Sequence, residues 1–303
     1  MYTIVSKTNQ SSRGIRYHIE AILTSIIWGV TFVSTKVLMV HGLTPEEIML
    51  IRFVLAYIFI WTISPRIIWS KSIRDELLML ILGVTGGSFY FLVENTALKY
   101  TQASNVSILL SIIPLLTAFA TPIFFKKVHI TKSLILGTLI ALFGVTFVVF
   151  NEHTALKLSP IGDFLTIGAA VMWVVYGLII KKLQNKNYSS EFITRKVFFY
   201  GIITILPVFP ILGSNIHFAA LADFTVIFNL FFLGIVASFL CYLSWNRVID
   251  KIGVVSANNY LYISPLATFI FSVIVLHEQL TIISIFGSLM ILFGVYFSQK
   301  EIR

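Results

Sequence analysis

Lys36, Arg52 and Glu94 form the most informative set of ionisable residues inside long apolar runs. Such side chains are costly within a bilayer unless they are paired, hydrated or engaged with a solute. Their chemistry leaves three assignments open: a compensating ion-pair cluster, a site for a proton or a solute's charge, or, for Lys36, snorkelling to the interface. Trp28 and Trp173 fall near the centres of apolar runs, where an indole N–H meets no water and needs a protein or cavity acceptor. Pro114 and Pro265 also fall near run centres; each withdraws an N–H and frees the carbonyl four residues back, on Leu110 and Leu261. Tyr90, Asn95, Tyr176, Tyr242, Asn246, Asn258 and Tyr262 supply hydroxyls and amides that would bind a polar solute while leaving the wall uncharged. Each of these residues also has a plain structural use. Proline kinks helices, tryptophan fills space, and Asn or Tyr hydrogen-bonds neighbouring helices.

The elements that must position these residues are helices in a membrane. Of 303 residues, 57% are hydrophobic and 12% charged, and mean hydropathy is +0.92; a soluble chain carries about a quarter charged residues. A span needs roughly 20 apolar residues, and ten runs approach that: 19–40, 46–63, 76–98, 104–124, 132–150, 162–182, 191–212, 225–248, 255–276 and 281–299. Breakers separate them, among them Gly42-Leu43-Thr44-Pro45, Ser64-Pro65, Ser159-Pro160 and Gly213-Ser214-Asn215. Long continuous runs of this kind exclude a β-barrel, whose strands alternate.

The chain repeats itself. At an offset of 150, Thr131 to Phe147 match Thr281 to Phe297 at nine of seventeen positions, including Gly137 with Gly287, Phe143 with Phe293 and Gly144 with Gly294. At 145, Trp28 meets Trp173, Lys36 meets Lys181, and Glu46 meets Glu191. At 151, Gly83 meets Gly234, Asn95 meets Asn246, Pro114 meets Pro265, and Thr117 meets Thr268. Residues 19–150 and 162–299 are therefore two copies of one five-helix unit, preceded by a polar tail at 1–18. Lys and Arg concentrate in the tail (Lys7, Arg13, Arg16) and in alternate loops (Arg66, Lys71, Arg74; Lys126, Lys127, Lys132; Lys181, Lys182, Lys186; Arg247, Lys251), against only Lys99 and Lys157 in the others. The positive-inside rule then puts both termini in the cytoplasm. An odd number of spans per half inverts the second copy, giving an all-α integral membrane protein of ten helices in two inverted five-helix repeats. That topology brings Lys36, Arg52 and Glu94 to one depth in the outer third.

Several function classes fall away. The net charge of +9 is accounted for by retained loop charges, which removes the case for nucleic-acid binding. His277-Glu278 is followed by Gln279-Leu280-Thr281, without the second histidine of a zinc motif, and no phosphate loop or intramembrane aspartate pair is present. Neither a metal nor a cofactor is called for. A lone cysteine, Cys241, forms no intramolecular disulfide. Met1 to Arg16 lacks an apolar core and reads as a cytoplasmic tail rather than a signal peptide.

The sequence resembles the EamA family of the drug/metabolite transporter superfamily. The resemblance is carried by Trp28-Gly29 through Lys36, Arg52-Phe53, Ala97-Leu98-Lys99-Tyr100-Thr101 with Ala103, Pro114, and Pro265 with Glu278 before Gly287 and Gly294. It implies a ten-helix inverted-repeat carrier in the cell (inner) membrane that exports amino acids or related small metabolites by alternating access, with solute and lipid as its partners. Two departures are Lys127, where many relatives carry an acid, and Glu94, an acid the family does not generally show. A passive channel or lipid scramblase is the alternative class, ahead of a membrane-embedded enzyme. Single cysteines at Ser72 and Asn215 on a Cys241→Ser background are expected to react with impermeant reagents from opposite sides of the membrane; reaction of both from one side would refute the ten-helix topology.

Overall fold

The computed structural model describes residues 5–65, 69–101, 103–125, 131–149, 159–214, 216–276 and 282–298, and all regular secondary structure among them is helical. Expectations resting on Arg66, Lys126, Lys127, Lys157, Asn215, His277 and Glu278 lie outside the described residues. In chain order the helices are α1 (Val5–Val40), α2 (Pro45–Ile60), α3 (Ile73–Gly83), α4 (Phe89–Tyr100), α5 (Ala103–Leu110), α6 (Ile113–Phe124), α7 (Lys132–Val149), α8 (Pro160–Gln184), α9 (Ser190–Ile205), α10 (Val208–Leu212), α11 (Phe224–Phe231), α12 (Cys241–Ile252), α13 (Val254–Asn259), α14 (Ile263–Leu276) and α15 (Ile282–Ser298).

Among the described residues, five helical runs are long and apolar enough to cross a bilayer: Ile15–Val40, Ile73–Tyr100, Pro160–Gln184, Ser190–Leu212 and Phe224–Ile252. The other expected spans are shorter or interrupted among the described residues. α2 has 16 residues, about 24 Å at 1.5 Å per residue. Its start is fixed by a capping box in which the Glu47 backbone donates to Thr44 Oγ1 and the Thr44 backbone donates to Glu47 Oε2 at 2.7 Å, with Pro45 in the first turn.

Polar residues gather at two ends. At one, Asp75 pairs with Lys186 and accepts from the Tyr188 hydroxyl at 3.1 Å, Glu76 takes Lys196 and Tyr200, and Arg247 donates to Glu191 at 2.7 Å. At the other, Ser214 donates to Glu46, and His217 lies against Glu47. The loops joined at each end are those that an up-and-down chain brings together.

A close helix pair, α7 with α15, is built on the repeat. Gly137 lies against Gly294, and Gly144 against Gly287, so the helices run antiparallel. A Cβ on Gly144 would sit 2.6 Å from the Gly287 carbonyl oxygen and 2.7 Å from the Ile291 nitrogen. Small residues let backbones approach in a solvent that offers no hydrophobic drive for helix association. Gly144→Ala is expected to cost about 1–3 kcal/mol by overpacking. Gly168→Ala, whose nearest neighbour would be Val93 Cγ1 at 4.0 Å, is expected to cost nothing measurable. Thermal unfolding in detergent compares the two, and equal melting would refute the close contact.

Candidate solute-binding site

Two wide helical turns shape the middle of the molecule. Between α3 and α4 the helix loosens into a π turn at Val84–Ser88; between α11 and α12 it does so at Phe232–Leu240, a matching position of the repeat. Gly86-Gly87 is the sequence signal for the first, and Gly87 leaves helical geometry at φ −133° and ψ −107°. A π turn disturbs the regular backbone ladder, and side chains reach the carbonyls in both turns. Trp28 Nε1 donates to the Ala237 carbonyl at 3.0 Å, and the Tyr242 hydroxyl donates to the Gly86 carbonyl at 2.6 Å.

Gly86 and Ala237 are equivalent positions at the offset of 151, yet their donors are not equivalent. The counterpart of Tyr242 is Phe91, which has no hydroxyl, so Ala237 accepts from Trp28 instead. In the other half Tyr242 takes the carbonyl, and Trp173, the counterpart of Trp28, keeps a buried Nε1 with no partner among the described residues.

The prolines mark helix breaks. α5 and α6 separate at Ser111-Ile112, and α13 passes through a 3₁₀ turn at Tyr260–Tyr262 into α14. Pro114 and Pro265 thus sit in the first turn after a break rather than in mid-helix, which corrects the sequence expectation. In a first turn the missing N–H has no intrahelical partner to lose. Leu110 and Leu261, whose carbonyls the prolines were expected to free, both line the central cavity.

That cavity has a volume of about 50 Å³. α1 contributes Trp28, Thr31 and Phe32; α2, Arg52; α4, Tyr90, Phe91 and Glu94; α8, Trp173; and α12, Tyr242. Ser107, Leu110 and Ile113 enter from around the first break, and Leu261 and Ser264 from around the second. Aromatic rings form much of the wall, with Trp28 edge-on to Trp173 at 5.1 Å and Tyr90 beside Trp173 at 5.1 Å.

Arg52 donates through Nε to Ser238 Oγ at 2.9 Å, and its guanidinium lies 4.0 Å over the Phe91 ring. Glu94, 4% exposed, accepts no hydrogen bond from the described residues and forms no ion pair with Arg52. Lys36 does not join them. Its ammonium caps the end of α4, donating to the carbonyls of Leu98 and Thr101, a common use for a cation at a helix C-terminus.

The amide and tyrosine residues divide. Tyr90 and Tyr242 line the cavity; Asn95, Tyr176, Asn246, Asn258 and Tyr262 do not. Asn95 donates to the Pro45 carbonyl at 3.3 Å, tying α4 to the start of α2. Its counterpart Asn246 ties α12 to the start of α9 through Thr194 at 2.7 Å and accepts from the Tyr176 hydroxyl at 3.1 Å. Asn258 donates to Thr117 Oγ1 at 2.7 Å, and Tyr262 is buried in the core. Asn95 and Asn246 are engaged between helices and Asn258 spends its Nδ2 donor on Thr117, while its buried Oδ1 has no partner among the described residues; sequence position alone does not reveal such engagement. Thr31, Ser107 and Ser264 were missed because isolated hydroxyls in apolar runs carry no signal.

Apolar helices folded round one aromatic, charge-bearing cavity define a multi-pass membrane protein that handles small solutes. The chain belongs to the EamA-like transporter family, whose model matches residues 16–150 and 160–299. It is 29% identical over 277 residues to an "Uncharacterized transporter" of Archaeoglobus fulgidus, covering 90% of this chain and 95% of that one. It is 24% identical over 295 residues to the "Probable amino-acid metabolite efflux pump" of Escherichia coli (strain K12), covering 93% and 94%. A solved structure described as "Crystal structure of protein" superposes with a TM-score of 0.73 over 95% of this chain and 96% of that one, at 14% identity, a likeness of fold.

If Trp173 is the idle counterpart of Trp28, it should take over the Gly86 carbonyl when Tyr242→Phe vacates it. Tyr242→Phe and Trp173→Phe are then expected to be coupled, the double variant losing about 0.5–3 kcal/mol more than the sum of the singles. Additive losses in thermal unfolding would refute the exchange.

Proposed function

We propose that this protein is a secondary transporter of the cell (inner) membrane that exports amino acids or related small metabolites by alternating access. The observation that carries the reading is the central cavity, walled by both copies of the repeat and flanked by helix breaks at equivalent places. Inverted-repeat carriers bind solute in this position, at the repeat interface between interrupted helices. The export of amino-acid metabolites comes to this chain from the name of its Escherichia coli relative.

Ten spans, an inverted second half and cytoplasmic termini belong to the same proposal. Several contact pairs support the inversion because they map onto each other when the halves are exchanged. Thr268 donates to Ser107 Oγ at 3.1 Å, as Asn258 does to Thr117. Lys181 caps the end of α12 at the Asp250 carbonyl, 3.1 Å away, as Lys36 caps α4. In alternating access the two ends open in turn, and the ties through Asn95 and Asn246 lie on either side of the cavity as the bonds to be broken.

Purified protein in liposomes is expected to show saturable amino-acid flux and counterflow, with Trp173→Ala changing the apparent affinity or abolishing flux while the fold is retained. A channel has no conformational cycle for solute on the far side to accelerate. Linear flux without counterflow, insensitive to substitution of Trp28 or Trp173, would replace the carrier with a pore.

A further inference from the structure

We propose that the cavity binds a solute carrying opposite charges at its two ends, the anionic group held by Arg52 and the ammonium by Glu94. This rests on the carrier reading above and assigns its solute a charge pattern and two contacts.

Two ionisable groups on the cavity wall form no ion pair with each other. Arg52 and Glu94 are 1% and 4% exposed, and both line the cavity. A buried pair that served structure would close into contact, because only mutual attraction and good hydrogen bonds offset desolvation. Here Arg52 is held back by Ser238 and by the face of Phe91. Its terminal guanidinium nitrogens make no hydrogen bond among the described residues, and neither do the Glu94 oxygens. Both therefore keep unspent capacity, a forked donor at one pole and an acceptor at the other.

The repeat supplies an independent observation. Val197 stands where the second copy aligns with Arg52, and Trp245 where it aligns with Glu94. Both are fully or almost fully buried, at 0% and 1% exposed. The same helix pair is thus built with neither charge, and the two charges are present together or absent together. The architecture has no need of them.

A solute with one charge would cover one pole and leave the other buried and uncompensated. A dipolar solute covers both. The aromatic wall fits this assignment, since Trp28, Trp173, Tyr90 and Tyr242 line the same cavity as Glu94 and are spaced 5.1–5.9 Å apart in successive contacts, and aromatic faces attract ammonium groups. A carboxylate on Arg52 would meet a planar fork matched to its own geometry. The cation could be the primary ammonium of an α-amino acid or the quaternary ammonium of a betaine; both present the same pair of charges.

The test is the affinity of purified full-length protein in detergent for L-leucine, glycine betaine, N-acetyl-L-leucine, which lacks the cation, and L-leucinamide, which lacks the anion, read by tryptophan fluorescence and ligand-induced thermal stabilisation. Leucine or betaine is expected to bind roughly ten- to a hundred-fold more tightly than either singly charged probe, the range of a hydrogen bond to a charged group. Which of the two leads identifies the ammonium type. Glu94→Gln is expected to erase the preference over N-acetyl-L-leucine while retaining that over L-leucinamide. Equal affinity for all four probes, or a ranking unchanged in Glu94→Gln, overturns the assignment. If Glu94→Gln does not fold, the ranking by the unmodified protein decides alone. Counterflow of a solute carrying no charge pair would overturn the dipolar site and leave the carrier standing, whereas absence of counterflow with all solutes tests the carrier itself.

Discussion

A backbone carbonyl in a bilayer core must find its donor within the protein, and the central architecture follows from how Gly86 and Ala237 do so. Both lie in π turns. Tyr242 crosses from α12 to the turn before α4, and Trp28 crosses from α1 to the turn before α12. Each bond therefore joins the two halves across the cavity and fixes the orientation of a ring in its wall. The aromatic lining is a consequence of backbone satisfaction as well as a surface for a solute.

The two halves meet this constraint with different residues, and the difference localises function. A hydroxyl on Tyr242 but not on its counterpart Phe91 leaves the Trp173 N–H idle, a buried donor whose lack of a partner costs about 1–3 kcal/mol. Arg52 and Glu94 likewise occur in the first copy alone. The repeat provides a shared frame, and Arg52, Glu94 and the Phe91–Tyr242 pair are positions on the cavity wall where the two halves differ.

The frame was legible in the sequence to a considerable depth. Glycine, threonine and phenylalanine recurring in register identified the repeat, and the same glycines form the contact between α7 and α15. Trp28, Trp173, Arg52 and Glu94 were singled out by chemistry and lie on the cavity wall. Other placements were not legible, because depth along a helix does not determine which face a side chain presents. Asn95 is adjacent to Glu94 in sequence and bonds the Pro45 carbonyl instead of lining the cavity. Lys36 shares an expected depth with Arg52 but reaches the end of α4, where carbonyls without intrahelical partners offer a better site than an ion pair. The π turns were missed because hydropathy does not distinguish a wide turn from a regular one.

The glycine seam bears on ancestry. Gly137 meets Gly294 while Gly144 meets Gly287, and each contact pairs one end of a glycine face with the opposite end of its duplicate. A face that fits its own copy in antiparallel orientation is self-complementary, which is the defining property of a two-fold dimer interface. On the inverted-repeat reading proposed above, a single half would already have possessed the surface needed to pair with an inverted twin before the two copies were joined in one chain. On the same reading, joining the twins would free equivalent positions to differ, as Phe91 and Tyr242 do.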